Sequence, residues 1–356
     1  TQTANMAYWL DNQLYQGVYP NSVLANPKLR WERSKQFDYG LDLRFLNDRL
    51  SATVDYYNKI TDGLLVQSVA PLTTGASTVY QNLGKVSNKG VEIELGWKDK
   101  IGDFSYDVKG SFATVNNSVT EFRGEGTRIS GSGMLGMSNA MTYFEEGYPL
   151  WYIRGYKMTG VNEKTGAPIF ADLTGEGEIT DADRTNLGKA IPDFTYGLTL
   201  SASYKNFDVS IFGTGASGNK LVYAMLSTNP NTRNNRPNFL YEGRWTSSNT
   251  HSTLPSAVYQ INDPRFYNSD AFVFDATFFK IKQIQLGYTL SKRILTPIGI
   301  ESLRAYVLLD NFFTFTKYPG SDPEINASSN TSSAMALDYG GYPIAKSLSF
   351  GINVTF

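Results

Sequence analysis

The sequence has no cysteine and a single histidine, His251. Without thiols there is no disulfide framework, no thiolate metal site and no cysteine nucleophile. One histidine excludes a zinc-binding helix pair, and a Ser-His-Asp triad could only be built around His251, a polar loop position of the kind that is usually surface. An excess of one charge is also missing. The 32 Lys and Arg stand against 33 Asp and Glu, which argues against a nucleic-acid footprint. No apolar run approaches the ~18 residues of a membrane-spanning helix, and the longest, such as Ala305–Leu309, are strand-sized. The start, Thr1-Gln2-Thr3, lacks both a Met and a basic segment with an apolar core. No signal peptide is visible, and the chain is expected to be mature or a fragment.

Aromatics are in excess: 23 Tyr, 21 Phe and 5 Trp make 14% of the 356 residues. Such density suits membrane interfaces or sugar and peptide contacts. The final stretch, Leu348 to Phe356, alternates between apolar and small polar side chains. In a strand this makes two differently wetted faces. The same alternation runs through Gln36–Phe45, Leu50–Tyr57, Val91–Lys98, Phe104–Phe112, Phe194–Tyr204, Phe207–Ile211 and Leu303–Leu309. Between Phe279 and Leu290 the phase slips near Lys282 and Gln283, which predicts a β-bulge. A soluble sandwich and a membrane barrel share this alternation. Length separates them, because a tilted membrane strand needs about 9 to 11 residues and globular strands average about 5 or 6.

The connections also differ in kind. Tight turns at Asn47-Asp48, Asp99 to Gly102 and Lys205-Asn206 alternate with long stretches near 62–85, 117–140, 160–190, 218–270 and 317–344. Short turns on one side and long loops on the other describe an outer-membrane barrel. Consistent sidedness is reached by placing a hairpin at Met141–Phe144 and Trp151–Met158, which gives about eleven strands. The fold expectation is therefore all-β, a transmembrane antiparallel β-barrel whose remaining strands lie elsewhere, since an unpaired edge in lipid leaves backbone groups unsatisfied.

Four motifs then carry a resemblance: Asn26-Pro27-Lys28-Leu29-Arg30-Trp31-Glu32, Asn82 to Glu92, Pro192-Asp193-Phe194-Thr195-Tyr196-Gly197, and Asp310 to Glu324. In this order they resemble the C-terminal barrel half of the SusC/RagA-type TonB-dependent transporters of Bacteroidetes, over 1–356 as one domain. The resemblance implies a barrel of about 22 strands, with an N-terminal plug and barrel half, and the TonB-contacting segment, outside this sequence. It also implies a SusD-like lipoprotein partner, TonB, and surrounding outer-membrane lipid. The C-terminus would be periplasmic, the long loops extracellular, and the polar faces would line the lumen. Terminal Phe356 resembles the signal read by the barrel-assembly machinery.

The expected function is active import of large nutrients, oligosaccharides or oligopeptides, without enzymatic chemistry. The alternative is a docking barrel that anchors surface lipoproteins. Asp172, Thr174, Glu176, Glu178 and Asp183 lie at EF-hand-like spacing, with Thr174 and Glu176 where short Asp or Asn ligands are usual and Asp183 where a bidentate Glu is usual. A calcium or magnesium loop and a metal-free acidic turn both stay open. Tyr241, Arg244, Trp245, Tyr259 and Tyr267, with Arg233, Arg236 and Arg265 in the same loop, are candidate substrate or partner contacts. Gly213 to Gly218 spells GxGxxG without a βαβ unit and reads as barrel glycines.

Overall fold

The computed structural model of the protein describes residues 3–20, 23–124, 126–134, 139–225, 236–324 and 332–356. Nine strands form one continuous antiparallel path: β1 (Arg33–Phe45), β2 (Leu50–Val69), β3 (Thr78–Ile101), β4 (Phe104–Thr114), β5 (Phe194–Tyr204), β6 (Phe207–Ser217), β7 (Phe278–Thr289), β8 (Ser302–Thr316) and β9 (Ser347–Thr355). Each pairs with its neighbours in chain order. Two short strands, Val23–Leu24 and Asn116–Phe122, also pair with β3 and bring the sheet to eleven strands.

The register places like against like. One row crosses all nine strands through Phe45, Leu50, Trp97, Val108, Leu200, Ile211, Ile284, Leu309 and Leu348, each the cross-strand partner of the next. One residue along, the opposite face reads Arg44, Ser51, Gly96, Lys109, Thr199, Phe212, Gln283, Asp310 and Ser347. Among the described residues the apolar face is left open: Leu41 is 57% exposed, Leu286 53% and Ile352 69%. Water would penalise such a surface heavily, and hydrocarbon would not.

Aromatic rings mark both ends of this belt. Towards the short turns lie Phe104, Tyr204, Phe207 and Tyr288, with the Phe207 and Tyr288 rings 4.7 Å apart. At the other end Phe112, Phe194, Tyr196 and Phe279 form a chain of ring contacts 5.3 to 6.1 Å apart. Phe194 and Tyr204 share a face ten positions apart, about 33 Å along the strand, or about 25 Å of height at a barrel tilt of ~40°, the thickness of a membrane-barrel belt.

The expected phase slip is present. Register shifts between Ile281 and Gln283 against β8, and between Phe212 and Gly213 against β7. Two other expectations need correction. The hairpin at Met141–Phe144 and Trp151–Met158 is not part of the main sheet: Thr142–Glu145 and Tyr152–Gly155 join Arg128–Ser130 and Thr185–Gly188 in a separate four-stranded sheet, and β4 pairs directly with β5. The reason is burial on both faces, since Thr142, Tyr143, Phe144, Tyr152, Ile153 and Arg154 are all buried. Such strands have no face to offer lipid. The stretch 62–85, expected as a loop, is mostly strand, because β2 and β3 run on as a paired ribbon to Val69 and Thr78.

Removing a hairpin removes two strands, so the sidedness survives. The connections 46–49, 102–103, 205–206 and 290–301 fall on one side, with the end of β9; those at 70–77, 115–193, 218–277 and 317–346 fall on the other.

Candidate functional site: the polar face and the loop layer

The polar face of the sheet is a hydrogen-bonded wall. Thr53 donates to Asp42 at 2.7 Å, Arg304 Nε donates to Asp208 at 2.9 Å, and Ser105 and Ser203 hydroxyls meet at 2.7 Å. Long strands alternate, so every second residue of β1 to β9 is delivered to this wall. Several depressions open on it, among them one of about 380 Å³ bordered by Asp55, Glu92, Ser111 and Thr195. A second of about 730 Å³ is bordered by Arg49, Lys98, Asp107, Ser203 and Asp208, and a third of about 450 Å³ by Asp42, Arg44, Glu94 and Lys109. Their lining suits hydroxyl-rich or peptide-like solutes better than apolar ones.

The long connections pack on one another. Lys220–Tyr223 pairs antiparallel with Val273–Asp275 and parallel with Leu337–Asp338, drawing two connections into one small sheet. Around it Met141, Ile153, Val222, Leu240, Phe266 and Phe272 form a shared buried core. A second cluster holds Val86, Val119, Phe144 and Trp151 against the β2–β3 ribbon.

Two buried arginines organise the neighbouring part. Arg154 and Arg184 guanidiniums lie 5.6 and 5.2 Å from the Tyr143 ring. Arg184 donates to Tyr143 Oη at 2.7 Å, to the Arg154 carbonyl at 2.9 Å and to Asp181 at 3.0 Å. Burial pushes the Asp181 carboxyl up, but Arg184 and Arg154 outweigh it and leave the group below the usual carboxylate range.

Asp181 thereby anchors the acidic loop. Within it Asp183 accepts from the Leu173 and Thr174 amides at 2.8 and 3.0 Å through one oxygen, and from the Thr180 amide at 2.7 Å through the other. The Thr180, Thr174 and Leu173 amides hold its carboxyl down at about 2. Asp172 accepts from the Gly175 and Gly177 amides at 2.6 and 2.8 Å. Thr174 bridges the two aspartates by donating to both, whereas the exposed Glu176 and Glu178 have no bond to either. Asp172, Thr174, Glu176, Glu178 and Asp183 thus do not form a cage, and among the described residues no three His, Cys, Asp or Glu side chains gather around one point. As arranged, this donor set does not fit calcium, which takes about six to eight oxygens, or magnesium, which takes an octahedron of about six, because the Asp172 and Asp183 oxygens are engaged by backbone amides.

The proposed contact residues divide. Tyr241 is exposed, with the Arg244 guanidinium 3.9 Å from its ring centre. Trp245 is half-buried and donates to the Glu163 carbonyl at 2.9 Å. Tyr259 lies half-buried in the helix Ala257–Asn262. Tyr267 requires correction: it is 2% exposed, stacks on Phe272 and accepts from Arg236 at 2.9 Å. It belongs to the core of the loop layer because its ring completes the Phe266 and Phe272 cluster. The depression beside Tyr241, Arg244 and Arg236 has about 60 Å³, far below the ~300 Å³ of a small-molecule site. Arg265 is held by Asp263 at 2.8 Å, and Arg233 lies outside the described residues.

His251 faces Glu163 at 2.9 Å in an exposed pair. Gly213 and Gly215 lie in β6 beneath the Phe279 and Tyr196 rings, where a Cβ would collide with each. They are barrel glycines, as expected. Sequence reading missed the buried Lys280, whose amine meets Asp322 at 2.5 Å and Glu324 at 2.6 Å. The lysine on a strand and the Asp-Pro-Glu motif were both visible; their pairing was not.

Comparison with known proteins now decides the family. The TonB dependent receptor-like, beta-barrel family matches residues 4–217. This chain belongs to that family. TonB-dependent receptor P3 of Formosa agariphila is 31% identical across 93% of this chain and 35% of its own length. TonB-dependent receptor SusC of Bacteroides thetaiotaomicron is 28% identical across 93% of this chain and 32% of its own. The structure of the RagAB peptide transporter superposes with a TM-score of 0.81 at 24% identity, covering 100% of this chain and 38% of that one. The chain thus spans about a third of the length of these curated relatives and has the fold of a TonB-dependent barrel wall. The family is one of receptors and transporters, not enzymes.

Proposed function

We propose that this chain is the C-terminal part of the barrel of an outer-membrane importer that takes up large nutrients, oligosaccharides or oligopeptides, using energy delivered through TonB. The carrying observation is the two-faced sheet: an apolar row over all nine strands, half-buried to exposed, backs a polar wall with depressions large enough for several sugar or peptide units. Membership of the TonB-dependent family and the likeness to a peptide transporter support the reading. The short-turn side then faces the periplasm, and the loop layer faces outward to meet a SusD-like lipoprotein. The Asp172–Asp183 turn stands in that outward layer, and Tyr241 with Arg244 offers its exposed stacking surface. Binding and gating are the whole mechanism, with no bond made or broken.

The test is uptake of fluorescent oligosaccharides and oligopeptides by cells carrying the full-length protein, with and without TonB. TonB-dependent accumulation of either class is expected. Unchanged uptake after deletion of the full-length protein, with a surface lipoprotein lost from the membrane in the same cells, would replace import with docking.

A further inference from the structure

We propose that the outward face of β1 to β3, just beyond the apolar belt on the long-connection side, holds phosphate-bearing headgroups of anionic lipid in the surrounding leaflet. Within the belt these strands point only apolar residues outward: Phe45, Leu43, Leu41 and Tyr39 on β1, Leu50, Ala52, Val54 and Tyr56 on β2, Trp97, Leu95, Ile93 and Val91 on β3. The next rows on the same face change abruptly. Lys89 pairs in register with Asn58 and Phe37, Lys35 with Ile60, and Lys85 with Asp62 and Arg33.

Four cations therefore follow a charge-free band. Arg33, Lys35 and Lys89 are exposed and Lys85 is partly so. The nearby carboxylates are already engaged, since Arg123 lies 2.9 Å from Asp62 and 2.7 Å from Glu121. Among the described residues Arg33, Lys35 and Lys89 have no ion pair of their own, whereas Lys85 stands in register between the Asp62 and Glu121 carboxylates that Arg123 also serves. Lys89 is two positions beyond Val91 and Lys35 four beyond Tyr39, about 7 and 13 Å along the strands, or about 5 and 10 Å of height at a tilt of ~40°. A headgroup layer is about 5 to 7 Å deep on each side of the hydrocarbon, and a lysine stem bends towards it with ease. Because the rows share a face with the belt, their occupant approaches within the leaflet, which selects lipid over a soluble partner. Lys89 and Lys35 at that depth attract anionic headgroups, while Arg33 and Lys85, six positions beyond Tyr39 and Val91 and about 15 Å above the belt, add a longer-range attraction that fades within a Debye length. The inference rests on the membrane reading above but not on import.

The test uses the full-length protein in bilayer discs of phosphatidylcholine and phosphatidylglycerol in equal amounts, with mass-spectrometric measurement of the lipid retained after mild detergent extraction. The unmodified protein is expected to retain phosphatidylglycerol selectively, and less so at high salt. Combining Arg33→Gln, Lys35→Gln, Lys85→Gln and Lys89→Gln is expected to lower that selectivity at least about five-fold. The pair Lys35→Gln and Lys89→Gln alone should lower it in the same direction, which guards against a misfolded quadruple variant. Lys98→Gln with Lys109→Gln, on the polar face, should leave it unchanged. Equal selectivity before and after the quadruple change overturns the proposal, as does an equal loss in the polar-face control. TonB-independent uptake would sink the import reading and leave this ratio untouched.

Discussion

Lys280, on β7, places its amine 2.5 Å from the carboxylate of Asp322, and both side chains are shut off from solvent. Glu324 lies 2.6 Å from the same amine and from that of Lys282. This cluster ties the segment after β8 to the sheet. Removing one partner of a buried pair costs more than the pair contributes, because the remaining charge stays desolvated. Asp322→Ala is expected to destabilise the full-length protein by about 3 kcal/mol, measured by thermal unfolding in detergent. Adding Lys280→Met should recover part of that loss; no recovery would mean that the pair is not the source.

The two faces of the sheet make opposite demands. Leu286 points outward between Val209 and Val307, while Gln285 next to it faces the polar wall. Leu286→Arg should cost about 2 to 4 kcal/mol in bilayers, and Gln285→Arg about 1 kcal/mol or less. Folding titrations in lipid vesicles measure both. Equal costs would contradict the assignment of faces.

Acid should release the loop held by Asp183. Its carboxyl is held at about 2 when folded and titrates near ~3.9 in an unfolded chain. The hydrogen-bonded carboxylate therefore contributes its full stability above about pH 4, and the contribution is lost as pH falls through about 2. Pepsin should leave the exposed Leu173 site intact near pH 4 and cut it near pH 2. Asp183→Asn should be cut at both. Since the Asp183 oxygens already accept backbone donors, added calcium should not protect the loop; protection by calcium would show that the donors rearrange into a cage.

Tyr267 and Tyr241 lie in one connection and predict different losses. Tyr267→Ala removes a buried ring stacked on Phe272 and should cost about 3 to 5 kcal/mol in thermal unfolding. Tyr241→Ala should leave unfolding unchanged and weaken ligand uptake, if that exposed ring and Arg244 stack on solute.

Much of the sheet was legible because period-two alternation is a local signal. It gave the long strands, their faces and even the slip at Lys282 and Gln283. The ribbon at 62–85 was not, because Gly63 takes φ 71° and register shifts at Asp62, Leu64 and Leu65 scramble the phase. The 141–158 hairpin misled for a different reason. Its strands are four residues each and buried on both sides, and their length alone disqualified them from crossing a membrane. Tyr267 and Lys280 depended on contacts with segments far away in sequence, which alternation cannot report.

The displaced hairpin has a further consequence. Because it enters and leaves the loop layer on one side, the strands after it keep their direction whether or not it exists. Paired insertions are topologically silent in such a sheet. The segments on the long-connection side can therefore lengthen and acquire small sheets of their own, while the wall keeps its strand directions and its register.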